Sequence, residues 1–259
     1  MAAPAFRRIF IVCPAQARTG GPEALHQLGH ALCQQGHAAA MVYTSDDTTW
    51  FTFREDGAEV RAPTDAMPAE YGHYAVPRAI AIPDAADVAV VVPEIWPALT
   101  TRFRRAKVFL WWLSVDHALE KLAEAGGLPA LPAEVGHLCQ SHYALSWLAA
   151  RGVRGRMLSD YTSPAMAATA EEIAGRREPR VLYPARGREA ALRLRERVPE
   201  AEWRELSGME PGEVRAAFLA SRVYVDFGTH PGKDRMPREA ASLGCCVVTG
   251  RRGPPGRRR

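Results

Sequence analysis

The densest group of side chains that could bind a charged ligand lies near the end of the chain, in residues 226–240. Lys233 and Arg235 place two positive charges close together, and arginine suits two-pronged contact with a phosphate. His230 and Asp234 stand on either side of the lysine. These residue types favour a binding site for a phosphorylated ligand. A solvated charged loop with a capping aspartate is the alternative.

Glu239 extends this group with a carboxylate, which can accept hydrogen bonds from the hydroxyls of a sugar. It should lie in the first turn of a helix that begins at Pro237. Gly228 and Gly232 allow the preceding loop to be tight. The loop follows an apolar strand predicted for residues 222–227, and ligands of open α/β sheets bind where strands end.

A second glycine-containing segment, residues 18–23 (RTGGPE), lies between the first predicted strand and helix. Gly20 and Gly21 let the backbone approach a ligand, and Pro22 suits the first helical position. The free N–H groups of the helix could then bind a phosphate, although Glu23 is a competing negative charge. The segment is not G-x-G-x-x-G, so a dinucleotide site is not supported. A plain strand–helix turn remains the alternative.

A third segment, LWWLSVDH at residues 110–117, ends another predicted strand. Asp116 and His117 could orient an acceptor hydroxyl or act as its general base. The two tryptophans before them could stack on sugar rings. The alternative places both tryptophans in the core and makes Asp116 a helix cap.

Two further histidine patterns are weak signals. Ser141 and His142 are neighbours, but a catalytic triad is a geometry and not a spacing, so we interpret Ser141 as a helix cap. His26 and His30 are four residues apart, as in zinc-binding helices, but Gln27 stands where a zinc protease has glutamate. We therefore predict solvated histidines and no metal site.

Composition excludes several classes of protein. The five cysteines are few and lack C-x-x-C spacing, which predicts buried reduced thiols. Five arginines in residues 251–259 account for the basic balance, because the net charge of +4 less these five charges leaves −1. No nucleic-acid-binding surface is therefore predicted. No apolar run is long enough for a membrane span or a signal peptide, which predicts a cytoplasmic protein.

The elements that must position these residues alternate between short apolar strands and helices, which predicts an α/β protein with parallel sheets. A first domain is predicted for residues 1–162 and a second for residues 163–250, followed by a disordered basic tail, residues 251–259. In the first domain the predicted strands are 9–13, 38–43, 88–92, 107–113 and 137–140, with helices 22–35, 94–105 and 143–150 and a possible hairpin at 50–54 and 59–61. Residues 163–180 should form a helix and a linker. The second domain then has strands 181–183, 203–206, 222–227 and 245–249 and helices 188–197, 211–220 and 237–243.

Residues 237–248, PREAASLGCCVV, resemble the P-x-x-E-A stretch of retaining glycosyltransferases of the GT-B fold, which has two Rossmann-like domains. The spacing here is P-x-E, one residue shorter. Gly20 and Gly21 match the family's glycine loop, and LHQLGHALCQQGH at residues 25–37 looks like its first helix. The first acid of the family's E-x7-E pair would fall on Pro231, so Asp234 is the candidate replacement.

The resemblance implies that Glu239 holds the donor ribose and that Lys233 and Arg235 bind the donor diphosphate, with His230 in the same donor site. It implies transfer of a sugar, with retention, from a nucleotide diphosphate-sugar to a saccharide or lipid-linked acceptor. Protein cations would neutralise the leaving diphosphate, so no cofactor or metal is expected. The segment HPGKDRMPREAA at residues 230–241 resembles a subgroup for bacterial surface polysaccharides, which would allow peripheral contact with the inner membrane surface.

Two other functions are alternatives to sugar transfer. The family normally continues beyond the point where this chain stops, so the second domain is expected to be incomplete, and an inactive nucleotide-sugar-binding relic is the main alternative. A nicotinamide-dependent enzyme is disfavoured because neither G-x-G-x-x-G nor Tyr-x-x-x-Lys occurs. The base, the sugar, the acceptor and the oligomeric state stay open.

Overall fold

The computed structural model describes residues 6–230 and 232–250. The chain divides into two compact units, of which the first ends at Tyr161 and the second begins at Thr162. The predicted tail, residues 251–259, and Pro231 lie outside the described residues. Each unit contains a parallel sheet, which confirms the predicted α/β class.

The first unit contains a six-stranded parallel sheet in the order β2-β1-β6-β7-β8-β9 and a small antiparallel sheet in the order β3-β4-β5. Its strands are β1 (Arg8–Pro14), β2 (Ala38–Thr44), β3 (Phe51–Arg54), β4 (Gly57–Val60), β5 (Ala81–Pro83), β6 (Val88–Pro93), β7 (Lys107–Trp112), β8 (Gly136–Cys139) and β9 (Gly155–Met157). Its helices are α1 (Gly20–Gln34), α2 (Val115–Glu124) and α3 (His142–Ala149).

Burial on both faces explains the apolar strands of this sheet. Every residue of β6 is buried, as expected for a central strand covered on two sides. Trp111 and Trp112 are 1% and 0% exposed and belong to the cores on opposite faces of the sheet. Their burial excludes stacking on a sugar and supports the part of the alternative that places both tryptophans in the core. Ser141 caps α3 by accepting a hydrogen bond from the N–H of Ala144 at 3.2 Å, as predicted.

The second unit contains a four-stranded parallel sheet in the order β11-β10-β12-β13. Its helices are α4 (Ala170–Ala174), α5 (Arg188–Arg195), α6 (Pro211–Ala220) and α7 (Arg235–Ser242), and its strands are β10 (Glu178–Pro184), β11 (Glu202–Leu206), β12 (Ser221–Asp226) and β13 (Cys246–Thr249). The larger core cluster contains Leu182, Phe218 and Tyr224, each fully buried.

Arg177 joins the ends of three helices in the second unit. Its guanidinium donates to the carbonyls of Phe218 (3.2 Å) and Ser221 (3.0 Å), where α6 ends. It also donates to the carbonyl of Leu243 (2.8 Å), the C-cap of α7, and to that of Ile173 (3.2 Å) in α4. The last carbonyls of a helix have no partner within the helix and carry its partial negative charge, so one cation satisfies several of them.

Several predicted elements differ in the structure. Residues 94–105 contain only the 3₁₀ turn Pro97–Thr101 in place of the predicted helix, although Leu99 and Phe103 belong to the core of the first unit. The predicted helix in 163–180 shrinks to α4, which ends at Gly175. Strands β5 and β9, three residues each, were not predicted because such short segments carry no periodic signal.

Two further sequence predictions concern the cysteines and membrane-spanning helices. Cys13, Cys139 and Cys245 are buried free thiols, as predicted, but Cys33 is only partly buried and Cys246 is exposed on strand β13. None of the helices within the described ranges is long and apolar enough to cross a membrane.

Candidate functional site

The second unit has a topological switch point between β10 and β12. From β10 the chain passes through α5 to β11 on one side and then through α6 to β12 on the other. In open α/β sheets ligands bind in the crevice outside the carboxyl ends of the two strands that flank such a point. Arg186 follows β10 at this edge, and Asp226 is the last residue of β12. The topology therefore predicts that these two residues lie where a ligand would bind.

The buried carboxylate of Asp226 holds one edge of the Arg186 guanidinium. Nε of Arg186 lies 3.3 Å and 3.2 Å from the two carboxylate oxygens of Asp226, and Nη2 lies 2.5 Å from Oδ2. Asp226, which is 0% exposed, also accepts from the Tyr224 hydroxyl at 2.9 Å and the Gly228 N–H at 3.1 Å. Burial opposes the charge of Arg186, but its hydrogen bond with Asp226 and the charges of Asp234 and Asp226 raise its pKa well above the usual value. Arg186 is therefore a fixed cation.

Glycines allow this close approach. A Cβ added to Gly228 would lie 2.6 Å from Cγ of Arg186 and 3.1 Å from its carbonyl oxygen. A Cβ added to Gly187 would lie 3.2 Å from the backbone nitrogen of Phe227. The turns after β10 and β12 are therefore in contact through residues without side chains, and a larger residue at position 228 would displace Arg186.

His230 and Asp234 complete the cluster at the switch point. The Nδ1 of His230 makes a short hydrogen bond with the carboxylate of Asp234, and Nε2 lies 3.3 Å from the carbonyl oxygen of Asp226. Both ring nitrogens thus face oxygen atoms, an arrangement that favours the doubly protonated, cationic ring. The hydrogen bond to Asp234 raises the pKa of His230 against the opposing effect of burial. The structure places both predicted residues together.

The remaining predicted donor residues lie along the start of α7. This helix begins at Arg235, two residues earlier than predicted, so Glu239 belongs to its second turn and not its first. Glu239 is buried, and burial raises the pKa of its carboxyl group, partly offset by Arg235 and Arg238. Lys233 and Arg235 are half-buried. Arg238 instead closes the loop, since it donates to the carbonyls of Asp234 (3.3 Å) and Lys233 (3.4 Å).

The predicted glycine loop lies at the corresponding switch point of the first unit, between β1 and β6. Gly20 and Gly21 are the first two residues of α1, and Thr19 is its N-cap. Tyr71 donates a hydrogen bond to the carbonyl of Thr19 at 3.2 Å. Glu23 is buried and accepts from the Tyr74 hydroxyl at 3.1 Å, so its carboxylate is part of an internal network beneath the loop.

The histidines of α1 belong to the same network and are not solvated, which corrects the sequence prediction. His26 is 1% exposed, donates from Nδ1 to the carbonyl of Pro22 at 2.7 Å and accepts from the Tyr43 hydroxyl at Nε2. His30 is partly buried and bonds to the carbonyl of Tyr74. Burial lowers the pKa of His26, which keeps the ring neutral.

The predicted catalytic pair lies at the carboxyl end of β7, in the first turn of α2. Asp116 accepts a hydrogen bond from the Tyr143 hydroxyl of α3 at 2.8 Å. His117 is exposed, and its N–H donates to Ser114, which is the cap of α2 in place of Asp116. A carboxylate and an imidazole therefore occupy one edge of the sheet. The part of the chain that the structure describes contains no group of three or more His, Cys, Asp or Glu arranged to hold a metal ion.

Sequence reasoning missed Glu94, a buried carboxylate at the end of β6. It is 3% exposed, and its two oxygens accept from the N–H groups of Leu113 (3.0 Å) and Ser114 (2.8 Å). Burial raises its pKa to about 7, partly offset by these hydrogen bonds. Glu94 thus fixes the turn that leads into α2. Arg186 was also missed. Both residues lie within two positions of the end of a strand with an apolar run, which is the signal that could have found them.

We predict a pH-dependent stability that originates from Glu94. Its pKa is near 4.5 in the unfolded chain and about 7 in the folded one, so the folded protein holds the extra proton between these values. The free energy of unfolding should therefore fall as pH rises from 4.5 to 7, by about 3 kcal/mol at most. Urea unfolding across this range checks it. Glu94→Gln should flatten the dependence, whereas Glu55→Gln, at an exposed position, should not; equal slopes in both variants would refute the assignment to Glu94.

The sequence matches no known protein family and no curated protein. Among solved structures, the catalytic domain of starch synthase IV from Arabidopsis thaliana, bound to ADP and acarbose, is similar with a TM-score of 0.56. The identity is 9%, and the match covers 96% of this chain and 84% of that one. The glycotransferase of kitacinnamycin gives a TM-score of 0.38 at 12% identity, over 95% of this chain and 87% of that one. The first likeness establishes the fold: two Rossmann-like units of the GT-B type.

Proposed function

We propose that this chain is a glycosyltransferase that moves a sugar from a nucleotide diphosphate-sugar to a saccharide or lipid-linked acceptor in polysaccharide synthesis, with retention at the anomeric carbon. One observation carries the proposal: a fixed arginine, a cationic histidine and a basic helix start meet at the switch point of the second unit. Such a cluster suits a diphosphate. The fold agrees, since the similar starch synthase IV structure was bound to ADP.

In the proposed reaction the second unit stabilises the leaving nucleoside diphosphate. Negative charge develops on the diphosphate as its bond to the sugar breaks, and Arg186, Lys233 and Arg235 provide positive charge there. Glu239, buried beside two arginines, would accept hydrogen bonds from the ribose hydroxyls. These cations do the work of a metal ion, so we propose that no cofactor is required.

In the first unit, the loop at Gly20 and Gly21 would offer its backbone N–H groups to a phosphate. Asp116 and His117 would orient the acceptor hydroxyl, with His117 exposed and able to take a proton. A lipid-linked acceptor would bring the protein from the cytoplasm to the inner surface of the membrane.

Calorimetric titration with ADP, UDP and GDP tests the donor site. We expect one of these nucleotides to bind the wild type, and Glu239→Ala and Lys233→Ala to weaken that binding about tenfold or more, which is the loss of one good polar contact. The control is Lys121→Ala, which removes a surface lysine paired with Glu124 in the first unit. No binding of any nucleotide would refute the proposal. Binding without turnover on any sugar donor would favour the inactive relic.

A further inference from the structure

The carboxylate of Asp234 lies between two cations of the switch-point cluster. Its Oδ1 is 3.3 Å from Nη1 of Arg186, the edge of the guanidinium that Asp226 does not hold. Its Oδ2 makes the short hydrogen bond with Nδ1 of His230. One carboxylate thus bridges an arginine and a cationic histidine, as two oxygens of a phosphate group would.

The two carboxylates of the cluster are not equivalent. Asp226 is fully buried, accepts from Tyr224 and Gly228 as well as from Arg186, and belongs to the end of a strand. The side chain of Asp234 is 20% exposed and lies on the loop that leads into α7. Asp226 is therefore enclosed in the site, whereas Asp234 is the carboxylate of the pair that a ligand from solvent can reach.

The side chain of Asp234 does not cap the helix that follows it. It is the N-cap residue of α7, where aspartate normally accepts a hydrogen bond from the N–H groups of the first turn. Its side chain makes no such bond and is turned to Arg186 and His230 instead. The carboxylate of Asp234 therefore pairs with Arg186 and His230 and leaves the first N–H groups of α7 without a side-chain cap from this residue.

We infer that Asp234 occupies the position of one phosphate group of a nucleoside diphosphate, and that this ligand binds by displacing the carboxylate from Arg186 and His230. The inference rests on the proposed function and gives Asp234 a role opposite to direct donor binding. The cluster contains two cations, Arg186 and His230, and two carboxylates, so it is neutral as it stands. Displacing Asp234 leaves one net positive charge, which the phosphate neutralises.

The test is calorimetric titration of Asp234→Asn with UDP, ADP, GDP and inorganic pyrophosphate. Asparagine has the shape of aspartate but no charge, so it cannot form the ion pair. Fewer molecules then have the side chain of residue 234 bound to Arg186 and His230. If the Asp234-bound state holds about nine-tenths of the wild-type molecules, the variant should bind its nucleotide and pyrophosphate about tenfold more tightly. Asp234→Ser is a second variant, because serine is a good N-cap residue and is too short to bridge the two cations.

The control separates displacement from a general gain of positive charge. Glu205→Gln removes one negative charge at the carboxyl end of β11, the strand next to β10, where Glu205 pairs with Arg188 and not with Arg186. Its affinity for the same ligands should stay within about twofold of the wild type, because the partly exposed Glu205 carboxylate is already paired with the exposed Arg188 and is screened by solvent.

The outcomes distinguish the two claims. Tighter binding by Asp234→Asn and Asp234→Ser, with no gain in Glu205→Gln, supports the displacement. Equal or weaker binding by both Asp234 variants, in a protein whose wild type binds a nucleotide, overturns it and makes Asp234 a donor ligand. An equal gain in Glu205→Gln overturns it as well. If neither the wild type nor the Asp234 variants bind any nucleotide, the proposed function itself fails, and this inference with it.

Discussion

Replacing Arg186 with alanine should weaken nucleoside diphosphate binding about 100-fold or more, which corresponds to about 2.7 kcal/mol. Arg186 is held side-on by Asp226 at the switch point, so its charge is already in place before the ligand arrives. A pre-positioned guanidinium loses little freedom when it binds phosphate, and its hydrogen bonds to phosphate are charge-assisted. Calorimetric titration with the nucleotide that the wild type binds measures the effect. Arg186→Lys should recover only part of the affinity, because lysine cannot pair side-on with Asp226.

The loss must be separated from simple unfolding, because Arg186→Ala leaves the buried carboxylate of Asp226 without its cation. The double variant Arg186→Ala with Asp226→Asn removes that stranded charge and should fold while still failing to bind. Gly228→Ala should also weaken binding, since its Cβ would lie 2.6 Å from Cγ of Arg186. The matched control is Arg188→Ala, which removes an exposed arginine two residues further on that pairs with Glu205. Unchanged affinity in Arg186→Ala would place the diphosphate elsewhere.

Replacing Arg177 with alanine should lower the free energy of unfolding of the second unit by about 2–4 kcal/mol. The substitution removes a cation that donates to carbonyls at the ends of α6 and α7 and in α4. Those carbonyls lose their charged partner together with its favourable interaction with the helix dipoles. Urea unfolding, with hydrogen exchange of peptides from β10 and β12, measures the change.

Two variants make this stability prediction specific. Arg176→Ala removes the exposed neighbouring arginine and should change the free energy of unfolding by less than about 0.5 kcal/mol, as is usual at the surface. Gly244→Ala should destabilise the unit, because its Cβ would lie 2.4 Å from Nη2 of Arg177 and its φ of +85° disfavours a side chain. If Arg177→Ala were as stable as Arg176→Ala, the hydrogen bonds of Arg177 to the helix ends would contribute nothing to stability.

The alternation of strands and helices was predictable because burial on two faces demands continuous apolar strands. The six residues of β6 and the apolar face of α1 identified their elements directly. The elements that were predicted wrongly are those whose local conformation is not determined by hydrophobic periodicity. Residues 94–105 carry apolar side chains that belong to the core of the first unit. The hydroxyls of Thr100 and Thr101 donate to backbone carbonyls three residues earlier, which competes with helical hydrogen bonding, and only a 3₁₀ turn forms.

Some residues of the candidate site could be predicted from the sequence, and others could not. His230 and Asp234 were identified because they lie in a charged, glycine-containing loop at the end of a strand, where ligands of open α/β sheets bind, and the structure places both at the switch point. Arg186 lies about forty residues earlier and looks like one more arginine in an arginine-rich chain. Nothing local distinguishes it from Arg188, which forms an exposed ion pair at the surface. Only the neighbouring positions of β10 and β12 in the sheet assign the two arginines different roles.

The sequence by itself determined the α/β class, the strands that form the sheets and the polar segments at their ends, because periodicity and burial act within a few residues. The tertiary structure decided which of those polar groups meet. Strand order brings Arg186 to Asp226 across forty residues, and burial converts Glu94 from an ordinary carboxylate into one with a pKa of about 7. Ion pairing and desolvation depend on distances between segments far apart in the chain, and those distances exist only in the folded protein.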